Sequence, residues 1–143
     1  MSRLDRRAFE TAIEKVKAGE PVVIFPEGTR TPHGHLQPGK LGLGVIVAET
    51  KCPVIPVFIS GTYEVLPPGA RWIRCRPVSV HFGEPIVFDQ TLYRNQKAFC
   101  YHVCSTVMTR IAELGRVDPP DCQRKTTSGS FQANADEGTI IHH

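Results

Sequence analysis

Long apolar runs, paired cysteines and a strong charge of either sign are what this sequence has little of, and each shortage excludes a class of protein. No apolar stretch approaches the roughly 20 residues that a membrane-spanning helix needs, the nearest being VIVA at 45–48 and PVIPVFI at 53–59. The five cysteines, Cys52, Cys75, Cys100, Cys104 and Cys122, are odd in number, contain no C-x-x-C pair and follow no secretory signal, so a disulfide framework is not expected. A reducing, cytoplasmic setting suits them better. The formal net charge of +3 and pI near 8.7 give mild attraction to phosphate-bearing partners, well short of the basic density of a duplex-binding surface. Nucleic acid is therefore not an expected partner. With 143 residues, 41% of them apolar, the chain suits one domain with a core of modest size.

From Leu4 to Ala18, Leu4, Ala8, Phe9, Ala12, Ile13 and Val16 recur at helical spacing with charged residues between them, and Gly19 stops the pattern. PVVIF, residues 21–25, is a short apolar run of the kind found in a strand buried on both faces. After a loop rich in proline and glycine, LGLGVIVAET predicts a second helix and PVIPVFI a second buried strand. Strand, crossover and strand make a βαβ unit. RPVSVHFG then alternates as a third strand with Val78, Val80 and Phe82 on one side, and PIVF follows as a short piece. Asp89 or Thr91 could cap a last helix to about Leu114, striped by Leu92, Phe99, Val103, Val107, Ile111 and Leu114, with Gly115 as its stop. The expected fold class is α/β, a partial, mixed and mostly parallel sheet with flanking helices, over residues 1–115. Residues 116–143 lose all periodicity and read as a disordered polar tail.

Ligands of open α/β sheets bind beyond the carboxyl ends of strands, and PEGTR, residues 26–30, sits at such a place. Gly28 lets backbone approach a ligand or take a positive φ, Thr29 offers a hydroxyl, and Arg30 presents a planar fork matched to phosphate oxygens. Glu27 could hold that fork or accept a substrate hydroxyl. Lys40, just ahead of the glycine-rich helix start, could bring a second positive charge to the same anion. The alternative is a surface ion pair of Glu27 with Arg30, worth about 0–1 kcal/mol, in an ordinary turn.

VIFPEGTRT resembles the third signature block of the glycerolipid acyltransferases, the 1-acylglycerol-3-phosphate acyltransferase family, and PVIPVFISGT resembles the fourth. The spacing between them is also similar, LQPGKLG looks like the family's Lys-and-Gly segment, and VSVHFGEPI like its strand after the fourth block. The likeness runs over about residues 3–115. It implies transfer of a fatty acyl group from acyl-CoA or acyl carrier protein to the hydroxyl of lysophosphatidate, at the cytoplasmic inner face of a membrane, with no cofactor and no metal. It also implies that Glu27, Gly28, Thr29 and Arg30, with Lys40 beside them, form the glycerol-phosphate site.

One family element is missing. A His-x-x-x-x-Asp block supplies the family's general base, with the aspartate orienting the imidazole, the logic of Ser-His-Asp hydrolases with the substrate hydroxyl as nucleophile. Five positions after His33, His35, His81 and His102 stand Pro38, Lys40, Ile86 and Val107, and His142 and His143 end the sequence. The second signature block, which precedes the first helix in the family, is missing too. The expectation is a carboxyl-terminal part of such a domain, produced by a misplaced start at Met1, a frameshift or a gene remnant, and inactive and poorly stable alone.

Three further patterns have weaker claims. GHLQPGKL, residues 34–41, nearly meets the P-loop pattern, but Leu41 has no hydroxyl for Mg²⁺ and Pro38 removes a cradle N–H. Cys100 and Cys104 share a helix face near His102, yet two ligands make no zinc site, so structural thiols are expected. RWIRCR, residues 71–76, sets Trp72 and Ile73 among three arginines, which suits either a membrane headgroup layer or a solvated loop.

Overall fold

The computed structural model describes residues 3–29, 31, 34–66 and 69–120. Its elements are α1 (Arg3–Lys17), α2 (Gly42–Thr50), β1 (Val57–Ser60), a single-turn α3 (Thr62–Val65), β2 (Ser79–Phe82) and α4 (Gln96–Gly115). The predicted helices thus form within a residue or two of their expected bounds, apart from the start of α4.

Helices α2 and α4 make the core. Leu43 and Val47 of α2 meet Phe99, Val103, Cys104, Val107, Met108 and Ile111 of α4, all buried. Gly44 permits this crossing, because a Cβ there would collide with the Cα of Cys100. Half-buried Phe9, Ala12, Ile13 and Val16 give α1 its inward stripe, and the Phe9 ring lies against Gly42. Cys100 and Cys104 are packing groups of this core, as expected of structural thiols.

Two details of the last helix differ from expectation. Asp89 caps only a short 3-10 turn at Gln90–Leu92, while Asn95 caps α4 by accepting from the Ala98 N–H at 2.8 Å. Leu92 is consequently exposed and outside the helical stripe. Arg116, at φ 52°, is the left-handed C-cap, and Gly115 is glycine for a different reason: a Cβ there would collide with the Phe58 ring.

The sheet also departs from the expected pattern. β1 and β2 pair antiparallel, with Val57 opposite Phe82, Phe58 opposite His81 and Ile59 opposite Val80, and an antiparallel bridge joins Val54 to Ile86. No parallel pairing occurs among the described residues. PVVIF is not a strand buried on both faces. It runs extended with Ile24 against the core and Val23 and Phe25 exposed, and it has no ladder partner among the described residues. A strand exists only where a neighbour takes its N–H and C=O groups, and the described part supplies none at this position.

Residues directly opposite in an antiparallel pair share a face. Phe58 turns one face of β1 and β2 toward α4, so Val57, Ile59, Val80 and Phe82 occupy the other. That outer face is uncovered, with Phe82 72% exposed and Ile55 and Val78 exposed at either end of the same alternation. Residues 121–143 of the expected tail lie outside the described residues.

Candidate functional site: the 26–40 loop

The loop between the extended PVVIF segment and α2 is closed by its own hydrogen bonds. Lys40 N–H donates to the Pro26 carbonyl at 2.8 Å, joining the two ends of the loop, and Gly28 N–H donates to the Phe25 carbonyl at 3.0 Å. Inside it, the Thr31 hydroxyl donates to the His35 carbonyl at 2.7 Å. The Glu27 carboxylate accepts the Gln37 N–H at 2.7 Å. Glu27 therefore spends an oxygen on holding the loop in shape, a role that its residue type alone does not reveal. A charge-assisted bond of this kind is stronger than a neutral one, which suits a brace across ten residues.

Gly28 takes φ +66°, the left-handed region that glycine enters without steric cost. Its missing side chain has a second use, since a Cβ would sit 2.6 Å from Lys40 Nζ. The ammonium of Lys40 thus lies across the Gly28 backbone. Lys40 is in turn anchored from below: its carbonyl accepts the Cys104 thiol at 3.6 Å, and Gly39 presses so close to α4 that a Cβ would meet Cys104 Sγ at 2.7 Å. Lys40 is one residue from Leu41, which caps α2 with no side-chain bond, so the first N–H groups of α2 open beside it. An ammonium, a glycine backbone and a helix amino terminus together form surroundings suited to an anion.

The structure therefore brings together Glu27, Gly28 and Lys40 of the expected site. Thr29 is exposed at the loop surface, and Arg30 lies outside the described residues, as do Pro32 and His33. His35 is exposed, in keeping with a solvated histidine. His102 is held between the Tyr93 ring, with centroids 5.0 Å apart, and the Phe88 ring at 5.9 Å, and belongs to an aromatic cluster. Two open clefts lie elsewhere, one of about 230 Å³ beside Val47, Lys51 and Asp89, and one of about 530 Å³ beside Tyr63, Arg74 and Arg76; neither includes Glu27, Gly28 or Lys40. Among the described residues of the loop, Gly28, Thr29 and Lys40 are exposed.

Comparison with known proteins places this loop within a family match. Residues 2–60, which run from α1 through β1 and include all of the 26–40 loop, match the Acyltransferase family model. The chain carries part of an acyltransferase-family domain. It is 39% identical over 117 residues, 79% of its length, to the 1-acyl-sn-glycerol-3-phosphate acyltransferase BAT2, chloroplastic, of Brassica napus, and 34% identical over 95 residues to a 1-acyl-sn-glycerol-3-phosphate acyltransferase of Cocos nucifera. It is similar in structure to the crystallised 1-acyl-sn-glycerophosphate acyltransferase PlsC of Thermotoga maritima, with a TM-score of 0.60 and 34% identity over 76% of this chain. The chain spans 32% and 31% of the two plant acyltransferases and 46% of the bacterial chain. The helices and the two-stranded sheet of the described residues are in keeping with an α/β fold.

Proposed function

We propose that this acyltransferase segment supplies the acceptor-binding side of a reaction that moves a fatty acyl group from acyl-CoA or acyl carrier protein to lysophosphatidate. The observation that carries the reading is the Lys40 ammonium laid across Gly28, at the mouth of a loop braced by Glu27. The phosphate of the acceptor would sit against Lys40 and the first N–H groups of α2, and the Thr29 hydroxyl and the Arg30 guanidinium are the further contacts that the sequence offers it. Glu27 acts through the loop backbone and keeps Gly28 and Lys40 in register. The names of the similar proteins support this acceptor, and the reading needs no cofactor.

The chemical step needs a base for the acceptor hydroxyl, and this sequence holds no His-x-x-x-x-Asp block. Loss of a general base costs about 10²- to 10⁴-fold in rate. We therefore read the 143 residues by themselves as binding without transfer. This favours a second possibility, a non-catalytic phosphate- or lipid-binding protein descended from such an enzyme. Under either reading the protein works at a lipid surface, peripherally; among the described residues no helix is long and apolar enough to cross a membrane. We place it at the inner, cytoplasmic face. The bare outer face of β1 and β2 is where the rest of such a domain would pack.

Calorimetric titration with glycerol 3-phosphate and lysophosphatidate tests the site. Lys40→Ala is expected to weaken binding about 10- to 100-fold, the worth of one hydrogen bond to a charged group, and Arg30→Ala to abolish it. Unchanged affinity in both variants would remove the loop from the reading. Acyl transfer by the purified chain above a no-protein control would overturn the assignment of binding alone.

A further inference from the structure

The segment 71–76 is exposed at every position. Trp72 is 82% and Ile73 74% accessible, and Arg71, Arg74, Cys75 and Arg76 surround them. Among the described residues these arginines form no ion pair, unlike Arg110, which pairs with Glu113 at 2.9 Å. One acidic group, Glu64, lines the same cleft as Arg74 and Arg76.

This segment is pinned to the fold. Arg74 N–H donates to the Val65 carbonyl at 2.9 Å, tying it to α3. The Pro77 carbonyl packs so tightly on Gly61 that no Cβ would fit there. Tyr63 of α3, which shares the 530 Å³ cleft with Arg74 and Arg76, places its ring against Gly34, 3.4 Å from where a Cβ would be. Through Tyr63, the arginine-rich segment and the 26–40 loop are neighbours.

We propose that residues 71–76 are the surface by which this protein docks on a bilayer containing anionic lipid, with Trp72 and Ile73 entering the headgroup layer and Arg71, Arg74 and Arg76 on lipid phosphates. The proposal rests on the reading of the 26–40 loop as a site for a lipid phosphate. Tryptophan has an apolar body and one N–H donor, which suits the wet-to-apolar boundary. Arginine keeps its head in the polar layer while its stem lies along apolar surface. The contrast within the molecule supports the choice: the outer sheet face of Val57, Ile59, Val80 and Phe82 is apolar without charges, as a protein cover requires, whereas Trp72 and Ile73 are flanked by cations. Docking there brings the 26–40 loop to the surface that holds its acceptor.

Trp72 is the only tryptophan in the chain, so its emission reports on this segment alone. The full chain is mixed with phosphatidylcholine vesicles with and without phosphatidylglycerol, and with vesicles of brominated lipid. The expected result is a blue-shifted emission and bromine quenching with the anionic vesicles, weakened by added salt. Each arginine changed to glutamine lowers vesicle affinity about fivefold, from the worth of one basic residue near an anionic surface. Ile73→Asp abolishes the shift, and the helical circular dichroism stays unchanged in all variants. Vesicle binding with unchanged Trp72 emission overturns the proposal, as does a shift caused by an acidic carrier protein but not by vesicles. Retained glycerol 3-phosphate binding without vesicle binding overturns this inference alone; loss of both overturns the loop reading as well.

Discussion

The two faces of the β1 and β2 pair differ in composition and in fate: one carries Phe58 with Ser60, Ser79 and His81, the other Val57, Ile59, Val80 and Phe82. On one, Phe58 reaches α4 and packs on Gly115, continuous with the core of Val47, Phe99, Val103 and Met108. On the other, Ile59, Val80 and Phe82 stand open. One buried phenylalanine therefore stabilises on the first side, while the more apolar second side has little to act on, because the hydrophobic effect depends on area removed from water and not on residue type. An antiparallel sheet that ordinarily faced water would carry polar residues there. A bare face of this composition marks a place for a partner surface, and the size of each mutational effect should follow the face on which the residue lies.

The largest difference is expected between two phenylalanines. Phe99, 1% exposed, is ringed by Phe88 and Tyr93, and Phe99→Ala should cost about 3–5 kcal/mol, enough to unfold a marginal domain. Phe82→Ala should change stability by less than about 0.5 kcal/mol. Urea midpoints measured side by side decide this, and equal losses would mean that the outer face is buried in solution. A smaller and more specific effect sharpens the same contrast. Val80→Lys with Phe82→Lys should lower binding of a hydrophobic dye and raise solubility while leaving the urea midpoint almost unchanged. Dye binding that stays constant would mean that these residues are already covered.

How much of this was legible depended on the range of the interaction. The stripes of α1 and α4 follow from a period of 3.6 residues, which is local and survives whatever surrounds it. Strand pairing is not local: PVVIF has the composition of a central strand and lacks a neighbour among the described residues, and the order β1 to β2 came out antiparallel. Gly115 was readable as a special position, but its reason, the Phe58 ring, lies 57 residues earlier in the chain. In the loop, the nearness of Lys40 to Gly28 could be anticipated from family spacing. The brace from Glu27 to the Gln37 N–H could not, because no sequence pattern announces a side chain that bonds backbone ten residues away.

Thiol chemistry extends the comparison of covered and uncovered surface by a gentler measure. Cys100 is buried against Gly44, and burial, only partly opposed by a backbone hydrogen bond, raises its thiol above the ordinary value. Cys75 is exposed. Since the thiolate is the nucleophile, iodoacetamide at neutral pH should label Cys75 first and leave Cys100 and Cys104 unmodified until the chain unfolds, as peptide mass spectrometry would reveal. Early labelling of Cys104 would mean that the contact between α2 and α4 opens readily, and with it the anchor under Lys40.

The smallest expected effect concerns the entry to α4, where a charged cap and a neutral one stand six residues apart. Asp89 accepts from the Thr91 hydroxyl at 2.7 Å and from the Thr91 N–H at 2.9 Å. Those two bonds, the hydroxyl first, with Lys51 adding a little and slight desolvation opposing, hold its carboxyl below the ordinary value of 3.8. A lowered value means that the carboxylate is favoured by folding, so the contribution is present above the ordinary value and lost as pH falls through the folded one. Asn95 caps α4 with an amide that does not titrate. Followed by nuclear magnetic resonance from pH 7 to pH 2.5, the Thr91 amide proton should shift with a midpoint below the ordinary carboxylate value, while the Ala98 amide proton stays still. Asp89→Asn should remove the first titration and leave α4 intact. If Ala98 moved together with Thr91, the turn and the helix would be one cooperative unit, and the closed side of the molecule would be held at its entry by a charge and not by packing alone.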